Sequence, residues 1–241
     1  MKSSFLDKLG ADIKRLVEEI EDFSSTEIQV RPTPTPTNES AQSPKAIALI
    51  ASEHGATLLC RDAGDFQPQA VLHELLHLRR YWIDSVPQIL PVDDPDGEKI
   101  KLANQIENTL EHLIIVPQER EYGFEPYAYY REATRKNWQA YPWPAISEPW
   151  ARRKNCLLSW LTTYFLVRDP TIKQSAKRRL EQEGLSSEAE RFSQKIERVL
   201  SSKEQCISTA IRFLQIPHQQ ATMVYLDIKN QRTIRKPVSL H

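Results

Sequence analysis

The chain has 241 residues, 40% of them hydrophobic and 27% charged, which suits one compact domain or a domain with a smaller appendage. Because 32 Lys and Arg residues balance 32 Asp and Glu residues, no net charge favours nucleic acid or a membrane surface as a partner. Three widely spaced cysteines and the lack of a long apolar run argue against a disulfide framework and a membrane span, and indicate a cytoplasmic protein.

The first part of the chain predicts a helix, a strand and a long polar segment. Apolar residues recur at helical spacing from Leu6 to Ile20, which predicts an amphipathic helix that ends near Phe23. The short strand EIQVR follows, and we group residues 1–30 as an N-terminal segment. Prolines alternate with polar residues over residues 31–45, so this stretch predicts a linker or surface loop.

Residues 46–146 contain the segments that we predict to form the core of the functional domain. Two apolar runs flank Ser52 to Gly55, which predicts a hairpin. A helix that carries the sequence VLHELLHLRRYW is predicted to start after Pro68. A second helix is predicted from Ile100 to Val116, with Pro117 closing it.

The remaining residues, 147–241, predict a mainly helical extension that ends in a hairpin. Charged amphipathic helices are expected over residues 171–183 and 187–200, and a shorter helix is expected over residues 204–214. The whole pattern predicts an α+β fold. In this fold a small antiparallel sheet packs on the HELLH helix and on the second helix, and the C-terminal half is mainly helical.

The sequence HELLH contains the side chains of a metal site. His73 and His77 are four residues apart, so a helix presents both imidazoles on one face. Glu74 follows the first histidine directly, where its carboxylate can reach a water molecule at the same metal. The apolar residues lie on a different stripe of this helix: Val71, Leu75, Leu78 and Trp82. Core packing therefore does not require the histidines.

A catalytic zinc ion needs a third protein ligand, and the second helix offers three candidates. Glu107 and Glu111 are also four residues apart, so they share one face of that helix. His112 lies about 100 degrees round the helix from Glu111. The residues alone leave the choice among these three side chains open.

The motif HELLH, followed by ENTLE over residues 107–111, resembles the zincin metallopeptidases of the glutamate-ligand type, such as thermolysin and neprilysin. The resemblance implies that His73, His77 and Glu107 bind one zinc ion and that Glu111 holds His73. The family usually has Asp where this chain has the longer Glu111. The hairpin and the ending ENTLEHLIIVP are also similar to the compact intracellular peptidases of the ImmA/IrrE type.

The resemblance covers residues 46–117 and implies a zinc metallopeptidase that hydrolyses peptide bonds in a specific intracellular protein. Glu74 would act as the general base on the attacking water. The alternative is a non-catalytic regulatory or interaction module that contains zinc, against which Glu74 argues, since a carboxylate there that binds no metal has no packing purpose. We expect a peptide or protein substrate, without nucleic acid or membrane. The candidates for the donor that stabilises the oxyanion are Tyr122, Tyr127, Tyr129, Tyr130 and His218.

Overall fold

The computed structural model describes residues 1, 3–32, 47–62, 66–93, 97–141 and 148–239. Over these ranges the fold is α+β, which confirms the predicted class. Most of the predicted linker over residues 31–45 lies outside the described residues. Its first two residues, Arg31 and Pro32, belong to a strand. Within the described ranges, no helix combines the length and apolar character that a membrane crossing requires.

The α-helices and strands of the described ranges occur in the following chain order. The helices are α1 (Ser3–Leu6), α2 (Ala11–Ser24), α3 (Pro68–Trp82), α4 (Glu98–Glu119), α5 (Tyr127–Gln139), α6 (Pro149–Leu166), α7 (Pro170–Gln182), α8 (Ser186–Val199) and α9 (Lys203–Phe213). The strands are β1 (Gln29–Pro32), β2 (Ile47–Ser52), β3 (Gly55–Cys60), β4 (Gln88–Pro91), β5 (Ala221–Asp227) and β6 (Arg232–Pro237). They form two three-stranded sheets with the orders β1-β3-β2 and β4-β5-β6.

The chain divides into two compact units. The first comprises Met1–Pro87, Gln118–Phe124 and Val224–Arg235, and the second comprises Gln88–Pro117, Glu125–Met223 and Lys236–His241. Both units are assembled from pieces that are discontinuous in sequence, whereas the four segments predicted from the sequence are continuous.

In the first unit, helix α3 packs on a small mixed sheet. Strands β2 and β3 form the predicted hairpin, with Ser52 opposite Gly55. Strand β1 pairs with the other side of β3 in parallel, so β2 lies at one end of the described sheet. Helix α3 contacts α2, β2 and β3, which holds the HELLH motif against the end strand.

In the second unit, helices α5 to α9 pack against one another. Helix α6 is central, since it contacts α5, α7 and α8, and its side chains Leu157 and Leu161 are fully buried. Helix α5 was not predicted, because aromatic and proline residues crowd the start of its segment and obscure the helical spacing that follows. The aromatic rings of Trp138 and Phe192 complete this core.

Helix α4 extends beyond its predicted end. The prediction that Pro117 closes this helix is wrong, because α4 continues through Pro117 to Glu119. Proline has no backbone N–H for the carbonyl group four residues earlier, but Pro117 lies in the last turn, where only one helical hydrogen bond is lost. The side chain of Glu119 binds Gln69 and His73 of α3, which stabilises this last turn.

Candidate metal centre

Helix α3 presents the two HELLH histidines on one face. It begins at Pro68, which suits the first helical position because the N–H group there has no partner within the helix. His77 is 7% exposed, and the side chain of His73 is 20% exposed. The fully buried apolar side chains lie away from this face: Val71, Leu72, Leu75 and Leu78. Apolar packing therefore orients the helix and leaves the imidazoles together.

His112 is the third member of a histidine cluster. His73, His77 and His112 each offer a ring nitrogen, and these atoms lie within 4.8 Å of one another. Tetrahedral zinc with bonds of about 2.0 to 2.1 Å places its ligand atoms about 3.4 Å apart, so the separation of these nitrogens makes the group a candidate for one metal ion. The three histidines thus form a group that can hold a metal ion.

Glu119 fixes the orientation of His73. Its Oε1 atom lies 2.8 Å from Nδ1 of His73, and its Oε2 atom accepts a hydrogen bond of 2.7 Å from Gln69. The residue is 2% exposed, so both contacts are shielded from water. When Nδ1 of His73 donates its proton to this carboxylate, Nε2 keeps a lone pair for a metal, as in the carboxylate–histidine pairs of zinc proteins.

Tyr81 has a comparable position beside His77. Its hydroxyl oxygen lies 3.4 Å from Nδ1 of His77, and the two rings stack with their centroids 5.9 Å apart. A contact at Nδ1 again leaves Nε2 for the metal. The three histidines therefore suit zinc by the chemistry of their imidazole donors. In His73 and His77, Nδ1 already has a partner, which leaves Nε2 for the metal.

Glu74 is half-buried and follows His73 directly in the chain. Burial raises the pKa of Glu74 to about 7, against the opposing effects of His73 and of a hydrogen bond from the backbone N–H of Leu49. That hydrogen bond gives Glu74 a packing role on strand β2, which the sequence does not reveal. The presence of Glu74 is therefore not sufficient by itself to argue against a structural metal.

The structure places Glu107 and Glu111 in a different cluster, around Lys203. Nζ of Lys203 lies 2.8 Å from Oε1 of Glu107 and also contacts Oε1 of Glu111. The second carboxylate oxygen of Glu107 accepts a hydrogen bond of 3.1 Å from the backbone N–H of Ile89. We call Glu107, Glu111 and Lys203 the buried ion cluster, because each is less than 9% exposed.

The histidine group found among the described residues contains His112, whereas Glu107 and Glu111 contact Lys203. The physical reason is the face of α4 that each residue occupies. The carboxylates turn toward Lys203, whose ammonium group would be costly to bury without them. Glu119 is a carboxylate that contacts His73, the role that the resemblance assigned to Glu111.

Three contributing residues were missed in the sequence, although each leaves a weak signal. Tyr81 follows His77 by four residues, so the two lie on one face of α3. Glu119 follows His112 by seven residues, so these two lie on one face of α4. Lys203 belongs to the apolar stripe of α9 that contains Ile207 and Ala210. A lysine on such a stripe indicates a buried acidic partner.

Of the predicted oxyanion donors, Tyr130 lies beside the cluster. Its ring meets the ring of His112 edge to face, with the centroids 5.7 Å apart. Tyr127 stacks instead against the guanidinium group of Arg168, and Tyr129 is 71% exposed. Tyr130 is therefore a predicted donor with a ring contact to a cluster histidine.

Comparison of the chain with protein-family models, curated proteins and solved structures finds no match in any of the three.

Proposed function

We propose that this protein is a zinc metallopeptidase whose zinc ion is held by His73, His77 and His112. The observation that carries the proposal is that one ring nitrogen from each of these three imidazoles lies within 4.8 Å of the others. Glu74 follows His73 directly in the chain. The donor set suits zinc, because imidazole is one of its preferred ligands and three protein ligands leave a fourth position for water or substrate. This ligand set takes the place of the Glu107 ligand expected from the sequence.

Glu74 supplies the proton transfers in this proposal. Bound zinc would supply Lewis acidity, which polarises a peptide carbonyl and eases the deprotonation of water. The Glu74 carboxylate takes the proton of the attacking water and delivers it to the leaving amine when the peptide C–N bond breaks. Water is consumed, and one carboxylic acid and one amine are formed. Tyr130, whose ring contacts the ring of His112, is our candidate for the donor that hydrogen-bonds the carbonyl oxygen as it gains charge.

The position of β2 at the end of the described sheet supports the proposal of a peptide substrate. The backbone N–H of Leu49 donates to Glu74, so the outward backbone groups of β2 face the proposed site. Backbone groups alternate along a strand, so Ile47 and Ala51 direct theirs to the same side. An extended peptide can add to such an edge by main-chain hydrogen bonds, which brings a scissile bond close to Glu74.

The cysteines support a reducing compartment for this activity. Cys60, Cys156 and Cys206 are all buried free thiols, and secreted proteins more often pair their cysteines as disulfides. We therefore propose that the substrate is an intracellular protein.

The test is a comparison of cleavage sites between the zinc-loaded parent and Glu74→Gln. Each protein is incubated with a denatured proteome, and new N-termini are identified by mass spectrometry. We expect a restricted set of new termini with the parent, which a chelator and the substitution both remove. The same set of termini from both proteins would contradict the proposal.

The alternative function is a non-catalytic module with a structural zinc ion. One observation favours it: Glu74 already accepts a hydrogen bond from Leu49, which is a structural use of the carboxylate. The same experiment separates the two, because a structural module yields no new termini from the parent, although zinc is bound.

A further inference from the structure

The second unit contains a cavity of about 580 Å³ that shares no residue with the histidine cluster. Its walls come from β4, the first half of α4, the beginning of α6, the end of α9 and the segment from α9 to the start of β5. This volume lies within the range of about 300 to 1,000 Å³ that small-molecule sites occupy.

The cavity wall is mainly aliphatic. Its branched side chains include Ile89, Leu90, Leu102, Ile106, Ile211 and Ile216. Covering such a surface with an apolar ligand removes it from water, which favours binding. The body of a ligand that fits here is therefore apolar.

The amide side chains of Gln105 and Asn155 in the wall already form hydrogen bonds within the protein. Gln105 donates a hydrogen bond of 2.7 Å to the side chain of Asn155. Asn155 in turn donates to the backbone carbonyl of Ala151. These groups hold α4 against α6, and they offer few contacts for a ligand that needs many hydrogen bonds.

The charged groups of the wall favour an anion. Lys99, Lys101 and Lys154 line the cavity with a single acidic residue, Glu148. Lys99 also pairs with Asp93 at 3.3 Å. The lining therefore carries an excess of positive charge, which a negatively charged ligand reduces.

Lys154 is the lysine best placed for this contact. Its Nζ atom lies 4.5 Å from the ring centroid of Trp150, and no carboxylate of the described residues pairs with it. Burial lowers the pKa of Lys154, and the neighbouring Arg153 lowers it further. An anion at this ammonium group offsets both effects. Trp150 is 59% exposed, so this part of the wall reaches the surface.

We propose that this cavity binds an amphipathic organic anion, with its apolar body against the aliphatic wall and a single carboxylate or similar head group at Lys154. A neutral apolar compound supplies no anion for Lys154, and a polar metabolite leaves the aliphatic wall uncovered. The site is separate from the proposed peptidase site and does not depend on it.

The test uses decanoate as the ligand and decanol as its uncharged match, with the fluorescent probe 8-anilinonaphthalene-1-sulfonate as the reporter. We expect one saturable site for the probe on each chain, and displacement by decanoate at a concentration at least about tenfold lower than for decanol. Absence of saturable probe binding, or equal displacement by the two compounds, would overturn the proposal.

Two variants and one control locate the site. Lys154→Gln should weaken decanoate binding about tenfold or more, whereas Lys195→Gln, which removes the same charge from an exposed position on α8, should leave it unchanged. Ala151→Trp keeps the lysine and fills the cavity, and should block the probe. Circular dichroism establishes that each variant is folded. Unchanged binding in folded Lys154→Gln and Ala151→Trp would place the ligand elsewhere and overturn the assignment.

Discussion

Nδ1 of His73 lies 2.8 Å from Oε1 of Glu119, and the two residues are 46 positions apart in the chain. The contact fixes the imidazole so that Nε2 is the nitrogen available to a metal. It also joins the last turn of α4 to the HELLH helix, which explains why that turn persists beyond Pro117.

Replacement of Glu119 should therefore weaken the metal site without removing a ligand. We expect Glu119→Ala to lower zinc affinity about 10-fold to 100-fold, as carboxylates that orient zinc-binding histidines do. Competition with a chromophoric chelator measures the change. Glu121→Ala, at an exposed position in the next turn, is the matched control, and equal zinc affinity in both variants would argue against an orienting role.

Glu74→Gln separates catalysis from metal binding. If Glu74 transfers protons, we expect peptide cleavage to fall about 100-fold to 10,000-fold, while zinc content stays at the parental level, because Glu74 is not a ligand. Glu18→Gln on the exposed face of α2 should cleave as the parent does. Parental cleavage by the Glu74 variant would refute its role as the general base.

The same carboxylate makes the stability of the metal-free protein depend on pH. Burial raises the pKa of Glu74 from 4.5 to about 7, so the folded state retains a proton that the unfolded state has already released. The free energy of unfolding therefore falls as pH rises between these values, by up to about 3 kcal/mol. Urea unfolding at several pH values, after removal of metal, should show a smaller fall for Glu74→Gln. An identical pH dependence in the two proteins would contradict this.

Lys203 should be a main determinant of stability through the buried ion cluster. Lys203→Met leaves the carboxylates of Glu107 and Glu111 buried without their cation, and we expect a loss of about 3 to 5 kcal/mol in the free energy of unfolding. The triple variant that adds Glu107→Gln and Glu111→Gln removes the stranded charges and should recover much of this loss. No destabilisation in Lys203→Met, measured by urea unfolding, would contradict the pairing.

Local sequence patterns were sufficient to predict the fold class and to identify His73 and His77 as candidate metal ligands. The spacing of His73 and His77, and the apolar stripe of α3, follow from helical periodicity alone. The hairpin of β2 and β3 follows from turn residues between apolar runs.

Local sequence patterns could not identify His112 as the third ligand that we propose. Glu107, Glu111 and His112 lie within two turns of one helix, and their faces are decided by Lys203, which is 96 residues from Glu107 in the chain. A partner so distant leaves no trace in the local sequence of α4. The continuation of α4 to Glu119 depends on another distant contact, with His73.

The most direct test of the three-histidine centre is the zinc content per folded chain of the parent, His112→Ala and Glu107→Gln, measured by elemental analysis after reconstitution. Circular dichroism establishes that each protein is folded. We predict about one zinc per chain in the parent and in Glu107→Gln, and a large loss in His112→Ala, because three protein ligands are needed to hold a catalytic zinc ion. Retention of zinc by His112→Ala together with its loss from Glu107→Gln would contradict the three-histidine centre and would restore Glu107 as the third ligand.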